Sequence, residues 1–356
     1  MNRYKNECLT MYRNKNYSIH TEVTLFPFKT EIVVQSGFEK ATIATSSATI
    51  TDVKVSINTK GLNLALTWIE AHAFGFTSLH YAEINDRMQV VRAHEIEAID
   101  TNNAAILPLS FICEEFLFVA KVECSTEQVT ISQYRLSDFS LVTSPIIVTS
   151  KISDSYLSSK HNKIANMTIV DGGDNTFYLQ YKVQTGSINT ILLTYQDKAI
   201  SHQRLFDFAY NNIGFHEAYL DKEENMIFVS YANTESGDIY LAAQSLDPDG
   251  DNNPIENNVV INQTQGTYNR PYIEKYDSNY AVTWEGTNPY IIHVDKNLLI
   301  LSPEEMLDLS NPANIKTAYD MAANTLIMSA QIDNRIFEDY GSSFYYSKTM
   351  TNNDHS

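Results

Sequence analysis

One three-residue pattern recurs six times along this chain and leaves few architectures open. It reads Leu66-Thr67-Trp68, Phe118-Val119-Ala120, Leu179-Gln180-Tyr181, Val229-Ser230-Tyr231, Val282-Thr283-Trp284 and Met328-Ser329-Ala330. The first position is always apolar, the second mostly small or polar, and the third is a large aromatic in four cases. Successive third residues are 52, 61, 50, 53 and 46 apart. A unit of about 50 residues cannot bury its own apolar surface, so such units must stack on one another.

The flanks of the pattern repeat too. Asn63, Asn175, Asn225, Asn279 and Asn324 stand five or six residues before the third position, and Glu115 takes that place in the second unit. Asn58, Asp171, Asp221, Asp277 and Asp320 lie just upstream. Asp and Asn bond the local backbone and tolerate its left-handed conformation, so a hairpin turn precedes each pattern strand. Short strands (VKVSI, ILPLSFI, NMTIV, HEAYL, PYIEKY, KTAYDM) come before those turns. A third strand ends at Asp86, Asp138, Asp197, Asp247 and Asp295, and each leads into a fourth: MQVVRA, LVTSPIIVTS, AISHQRLF, ENNVVINQ and NLLILS.

Four strands per unit predict an all-β β-propeller with six four-stranded blades. The sixth unit lacks a strand: after FYYSK only TMTNNDHS remains, while EVTLFPF, TEIVVQS and ATIATSSATI near the N-terminus have no unit. Residues 31–36, or alternatively 41–50, are expected to complete the last blade and remove its exposed edge. A full extra blade built from the N-terminal strands would make the count seven. The central strands are apolar on both faces, as in Met226–Val229 and Phe116–Val119, which requires cover on both sides. A parallel α/β sheet would also need this, but the gaps between strands are too short and too β-rich for helices. Only Ser302–Asn314 reads as helical, with Ser302 as cap and Pro303 in the first turn, and Tyr156–Asn162 as a further short turn. We therefore expect residues 1–20 to be an extension, 21–350 a single propeller domain and 351–356 a tail.

Composition narrows the partners. The 356 residues carry 25 basic and 43 acidic side chains, a net charge of −18, which repels a phosphate backbone and argues against nucleic acid. The 22 Tyr and 16 Phe suit strands. Three cysteines, Cys8, Cys113 and Cys124, are not a disulfide framework; buried thiols are the simpler expectation, although Cys113 and Cys124 flank one strand and could pair. The first twenty residues hold basic side chains without an apolar stretch of ~7–15 residues, so they do not read as a Sec signal. No run reaches the ~18 apolar residues of a membrane span. Localisation stays open between the cytoplasm and export by another route. Asn16, Asn166 and Asn262 sit in Asn-x-Ser/Thr triplets, at the frequency chance gives in an Asn-rich chain.

One window has an outside likeness. Gly237, Ile239, Tyr240, Gln244, Asp247, Asp249, Gly250, Val260, Asn262, Pro271, Val282 and Trp284 follow the order of landmarks in the degenerate propeller repeats of some large secreted bacterial proteins, which this stretch resembles. The likeness spans about one blade and rests on turn and core positions. It implies the propeller fold and a bacterial, extracellular relative, and it carries no activity.

Three constellations could carry chemistry. Asp247, Asp249 and Asp251 alternate through SLDPDGDNNP and could ring Ca²⁺, although the EF-hand spacing is absent and an acidic hairpin turn accounts for the same residues. Trp68-Ile69-Glu70 and Trp284-Glu285 read as one position in two blades, either an aromatic platform with a carboxylate for sugars or rings packed between blades. Asp52, Glu217, Glu274 and Asp320, with His216 beside Glu217, fall on strands that would line a central channel, where paired carboxylates hydrolyse glycosides. No HExxH, G-x-S-x-G, P-loop or G-x-G-x-x-G occurs, and the Ser-x-Asp-x-Gly-x-x-Trp box of sialidase propellers is missing. By spacing alone, His72 and His80, or His94 with Glu95 and Glu97, are too scattered for a metal. The expected function is a non-catalytic binding scaffold that presents loops to a protein partner. The alternative is a lectin or glycoside hydrolase acting at the channel.

Overall fold

The computed structural model describes residues 2–12, 15–25, 27–36, 39–58, 63–72, 77–99, 105–123, 128–149, 167–182, 188–208, 212–246, 258–264, 266, 268–276, 278–286, 288–306, 312–320, 325–332 and 342–349. Within these, every regular element is a strand, in the order the sequence dictates. β1 (Asn2–Tyr12), β2 (Lys15–Leu25), β3 (Phe28–Ser36) and β4 (Glu39–Ser46) form one sheet in sequential order. β5 (Thr49–Asn58), β6 (Leu64–Ala71), β7 (Thr77–Ile84) and β8 (Val90–Ile99) form a second group of four. β9 (Ala105–Cys113), β10 (Phe116–Glu123), β11 (Gln128–Arg135) and β12 (Ile146–Thr149) form a third. The second and third fuse into one eight-stranded sheet, because β5 and β9 pair in parallel through Ile57↔Phe111 and Asn58↔Ile112.

The next sheet holds β13 (Met167–Gly173), β14 (Thr176–Lys182), β15 (Ile188–Gln196) and β16 (Ala199–Phe208). After it come β17 (Ile213–Asp221), β18 (Met226–Asn233), β19 (Ile239–Ser245) and β20 (Val259–Val260). β21 (Asn269–Tyr276), β22 (Asn279–Glu285), β23 (Pro289–Val294) and β24 (Glu305–Met306) follow, and β25 (Pro312–Asp320), β26 (Thr325–Ile332) and β27 (Ser342–Thr349) end the series as a three-stranded sheet. The chain divides into two compact units: Met1–Arg3 with Ile19–Ala209, and Tyr4–Ser18 with Tyr210–Ser356.

All six repeats of the pattern fall in the second strand of their group: β6, β10, β14, β18, β22 and β26. That strand is hydrogen-bonded on both edges, and in β6, β10, β14, β18 and β22 its described residues are buried on both faces. Its described pattern residues are buried accordingly, Trp68, Tyr231 and Trp284 among them. In three sheets the aromatic third residue stacks on its cross-strand partner in the next strand. Trp68 lies 5.4 Å from His80, Tyr231 5.2 Å from Tyr240 and Trp284 5.9 Å from Tyr290, each pair within 13° of parallel. The Trp residues are thus packing elements and not exposed platforms.

The acidic and amide turn residues do what their chemistry predicts. Asp174-Asn175 and Asp197-Lys198 are two-residue hairpin loops with φ of 49° and 61°, and 54° and 63°, matching the twist of their strands. Asn85 and Asp295 open a longer turn. Asn85 Oδ1 accepts the amides of Arg87 and Gln89, and Asp295 Oδ1 those of Asn297 and Leu299, at 2.8–3.0 Å. In the first of these turns the side chain at work is Asn85, one residue before the expected Asp86. The fourth residue of each, Met88 or Leu298, has positive φ yet is buried, as is Phe139 in the corresponding turn after β11. The left-handed backbone costs about 1–2 kcal/mol, and burial of such a side chain returns about 1.5–3 kcal/mol, so burial wins.

A further repeat is invisible in composition. The register skips two residues opposite the third pattern residue in β5, β21 and β25, at Asp52-Val53, Arg270-Pro271 and Asn314-Ile315, and one residue further on in β17, where Gly214-Phe215 stand opposite Ala232. Such bulges bend the strand and increase its local twist.

Three expectations are corrected. Residues 31–36 lie in β3, which has β2 on one edge and β4 on the other, so they complete no other sheet. Residues 41–50 are not one strand: β4 ends at Ser46 and β5 starts at Thr49 after a bend. Together with residues 2–25, expected in part as an extension, these strands make a four-stranded sheet of their own. Ser302–Asn314 forms no helix among its described residues; Met306 pairs with Tyr290 and Glu305 with Ile291, and Pro312 starts β25. Strand pairing overrides the capping signal there. Tyr156–Asn162 lies outside the described residues.

Candidate functional site

The first strands β17 and β21 pack beside one another in the second unit. Each carries a bulge, and Phe215 contacts Tyr272 across the gap, with ring centres 5.7 Å apart. Beyond the bulges, β17 presents Glu217 opposite Ser230, and β21 presents Glu274 opposite Ala281. Glu274 is partly exposed as a residue, but its carboxyl is enclosed. Burial, and then the charge of Glu217, push its pKa from the ordinary 4.5 up to about 8. The structure thus brings together two of the four carboxylates nominated from sequence, and the enclosure of Glu274 favours its protonated form.

The turn after β17 grips the neighbouring sheet. Asp221 Oδ1 accepts the amides of Glu223 and Glu224, which fixes the turn. Its Oδ2 accepts the Tyr280 hydroxyl at 2.6 Å and lies 3.0 Å from Lys275 Nζ. Lys275 also reaches Glu223 at 2.7 Å, and Lys296 reaches Glu224 at 2.9 Å. Burial alone would raise the Asp221 pKa, but Tyr280, Lys275 and the Glu224 amide outweigh it and hold the carboxyl below its usual range. Burial and the charges of Glu274, Asp221 and Glu223 push the Tyr219 phenol well up. Asp221 reads in sequence only as a turn former; its grip on the next sheet depends on Lys275 and Tyr280, 54 and 59 residues away.

The other nominated residues do not join this group. Asp52 belongs to β5, where it is a bulge residue with φ of 54° and accepts the Thr51 hydroxyl at 3.1 Å. Arg270, with φ of 48°, takes the same place in β21, so the position serves backbone geometry. Asp320 ends β25, and its side chain lies outside the described residues. Asp247, Asp249 and Asp251 also lie outside them. His216 is fully buried in β17 beside Glu217. The two Trp–Glu positions are not equivalent. Glu70 is two residues from Trp68 and shares its face, whereas Glu285 follows Trp284 directly, points to the opposite face, and lies 3.6 Å from Arg270. No helix of the described residues is long and apolar enough to cross a membrane.

Neither a family model nor a curated protein matches the chain. Solved structures do. The β-propeller domain of the trilobed protease from Pyrococcus furiosus superposes with a TM-score of 0.51 at 10% identity, over 99% of this chain and 98% of that one. The WD40 domain of SCAP from fission yeast gives 0.50 at 8% identity, over 98% of each chain. Pyrococcus horikoshii acylaminoacyl peptidase gives 0.52 at 9% identity; 99% of this chain matches about half of that one, 53%. At such identity the likeness concerns fold alone, and the fold in common is the β-propeller.

Proposed function

We propose that this protein is a non-catalytic binding propeller that presents its turns to a protein partner. One observation carries the proposal: the turns are held rigid by their own side chains. Asn85, Asp138, Asp171, Asp221, Asn233 and Asp295 each accept backbone amides two to four residues on. Loops ordered in advance lose little entropy when a partner docks, which is how a scaffold gains affinity without chemistry. We take the described strands to form seven modules, because the N-terminal strands build a sheet of their own. A glycan array and a generic glycosidase screen on the full chain test the reading. Saturable glycan binding or turnover would sink it.

The pair of Glu217 and Glu274 favours a second reading, carbohydrate recognition or glycoside hydrolysis at the inner strands. A carboxyl whose pKa is raised, beside a second carboxylate, is the acid–base arrangement such chemistry needs. Under this reading Glu274→Gln and Glu217→Gln each abolish whatever turnover the screen detects; turnover that survives both variants rejects it. The Asp247, Asp249 and Asp251 loop is proposed as a Ca²⁺ site on its alternating carboxylates. A calorimetric Ca²⁺ titration without heat or melting shift removes that proposal.

A further inference from the structure

The hairpin of β6 and β7 gathers a polar cluster that linear spacing hides. Alternation places Trp68, Glu70 and His72 on one face of the first arm, and Ser78 and His80 on the same face of the second. Register then sets Trp68 opposite His80 and Glu70 opposite Ser78. His72 Nε2 and His80 Nε2 converge on one atom, the Ser78 hydroxyl, at 2.9 and 2.7 Å. Glu70 Oε1 lies 3.8 Å from His80 Nε2, and one ligand atom each from Glu70, His72 and His80 all fall within 4.8 Å of one another.

The surroundings orient these groups as outer-shell partners orient metal ligands. Trp68 stacks on the His80 imidazole at 5.4 Å and donates its Nε1–H to Glu70 Oε1 at 3.2 Å. Ser46, at the end of β4, donates to Glu70 Oε2 at 2.5 Å. Glu70 is buried, His80 half-buried and His72 exposed, so the cluster opens to solvent on one side and an ion has a way in.

We propose that Glu70, His72 and His80 bind one divalent transition-metal ion, Zn²⁺ being the best fit to two imidazoles and a carboxylate. Zinc bonds to nitrogen and oxygen are about 2.0–2.2 Å, so tetrahedral ligand atoms sit roughly 3.3 Å apart. Closing from separations of up to 4.8 Å takes about 1.5 Å of side-chain movement at most, which the exposed His72 can supply. Three protein ligands leave a fourth position for water or for a group on a partner. The site is independent of the partner-binding reading and stands or falls by itself.

The test uses the full chain, stripped with a chelator and titrated with Zn²⁺ by calorimetry, with Co²⁺ as a visible-absorption probe. The expected result is one high-affinity ion per chain, a raised melting temperature and cobalt d–d bands. His72→Ala, an exposed position that leaves the fold intact, should weaken binding about 100-fold and remove the bands. Glu70→Gln should weaken it at least about tenfold, and Ser78→Ala, which keeps all three ligands, by less than tenfold. Absence of heat with Zn²⁺, or undiminished binding in both His72→Ala and Glu70→Gln, overturns the proposal.

Discussion

The hairpins β6–β7 and β22–β23 start from the same device and end differently. In each, a buried Trp stacks on its cross-strand neighbour, His80 in one and Tyr290 in the other. Two residues further along the same face, the first hairpin places Glu70 and the second Gly286. At Gly286 a Cβ would stand 2.9 Å from atoms of Tyr268 and Tyr290, so rings fill the space that a carboxylate occupies in the first hairpin. The second hairpin is consequently closed by aromatic packing, and Trp284 is fully buried against Tyr268 and Tyr290. The first is lined instead by polar contacts: Ser46 and Trp68 donate to Glu70, and Ser78 hydrogen-bonds both His72 and His80. The repeat specifies the Trp; the residue two further on decides whether the position is core or polar cluster.

That contrast can be broken by experiment. Trp284→Ala should cost about 3–5 kcal/mol, as large-to-small changes in a closed core do. Trp68→Ala should cost clearly less, because polar neighbours and solvent can relax into the gap. Urea midpoints measure both, and equal losses would erase the distinction between the hairpins.

The next largest effect concerns Glu274, the enclosed carboxyl in the sheet of the apolar hairpin. Its folded pKa, about 8, lies above the ordinary 4.5. Between these values the native state keeps a proton that the unfolded chain has released. Stability therefore falls as pH rises through the window, by about 2–4 kcal/mol for a carboxyl with some remaining solvent. Glu274→Gln should flatten the pH dependence between 5 and 8, and a slope unchanged in the variant would place its origin elsewhere.

Gly286→Ala should cost about 1–3 kcal/mol by forcing the rings apart. A melting temperature unaffected by this substitution would show that the aromatic closure is loose. The smallest effect is expected in the matched turns: Asn85→Ala and Asp295→Ala should each lose about 1 kcal/mol. Near-equal values there would confirm that the two hairpins differ at the Trp end and not at the turns.

Much of this fold is legible along the chain, for definite reasons. The pattern strands stand out because both faces are covered, so every residue of Val229-Ser230-Tyr231 answers to the same constraint. The turns stand out because Asp and Asn carry the hydrogen bonds themselves. The bulge at Asp52 is not legible, since Arg270 takes the same place in β21 with unrelated chemistry. His72 and His80 look scattered until the hairpin register is known, because antiparallel pairing brings together residues that linear spacing separates. The raised pKa of Glu274 depends first on enclosure that only packing provides and then on Glu217, 57 residues away. Ser302-Pro303-Glu304 carries a good helix-start signal, but Glu304 accepts the backbone amides of Gln263 and Thr264 in the preceding loop instead.

The parallel pairing of Ile57 with Phe111 and Asn58 with Ile112 also bears on how the molecule comes apart. In a repeat protein, cooperativity is set by the coupling between adjacent units. Here one junction has main-chain hydrogen bonds added to side-chain packing, and it is further pinned by Lys121 and Tyr134 on Glu97. Residues 49–149 should therefore open as a single block, their slowest amides exchanging with deuterium together, so that the smallest cooperative unit in this part of the protein is two repeats long and not one.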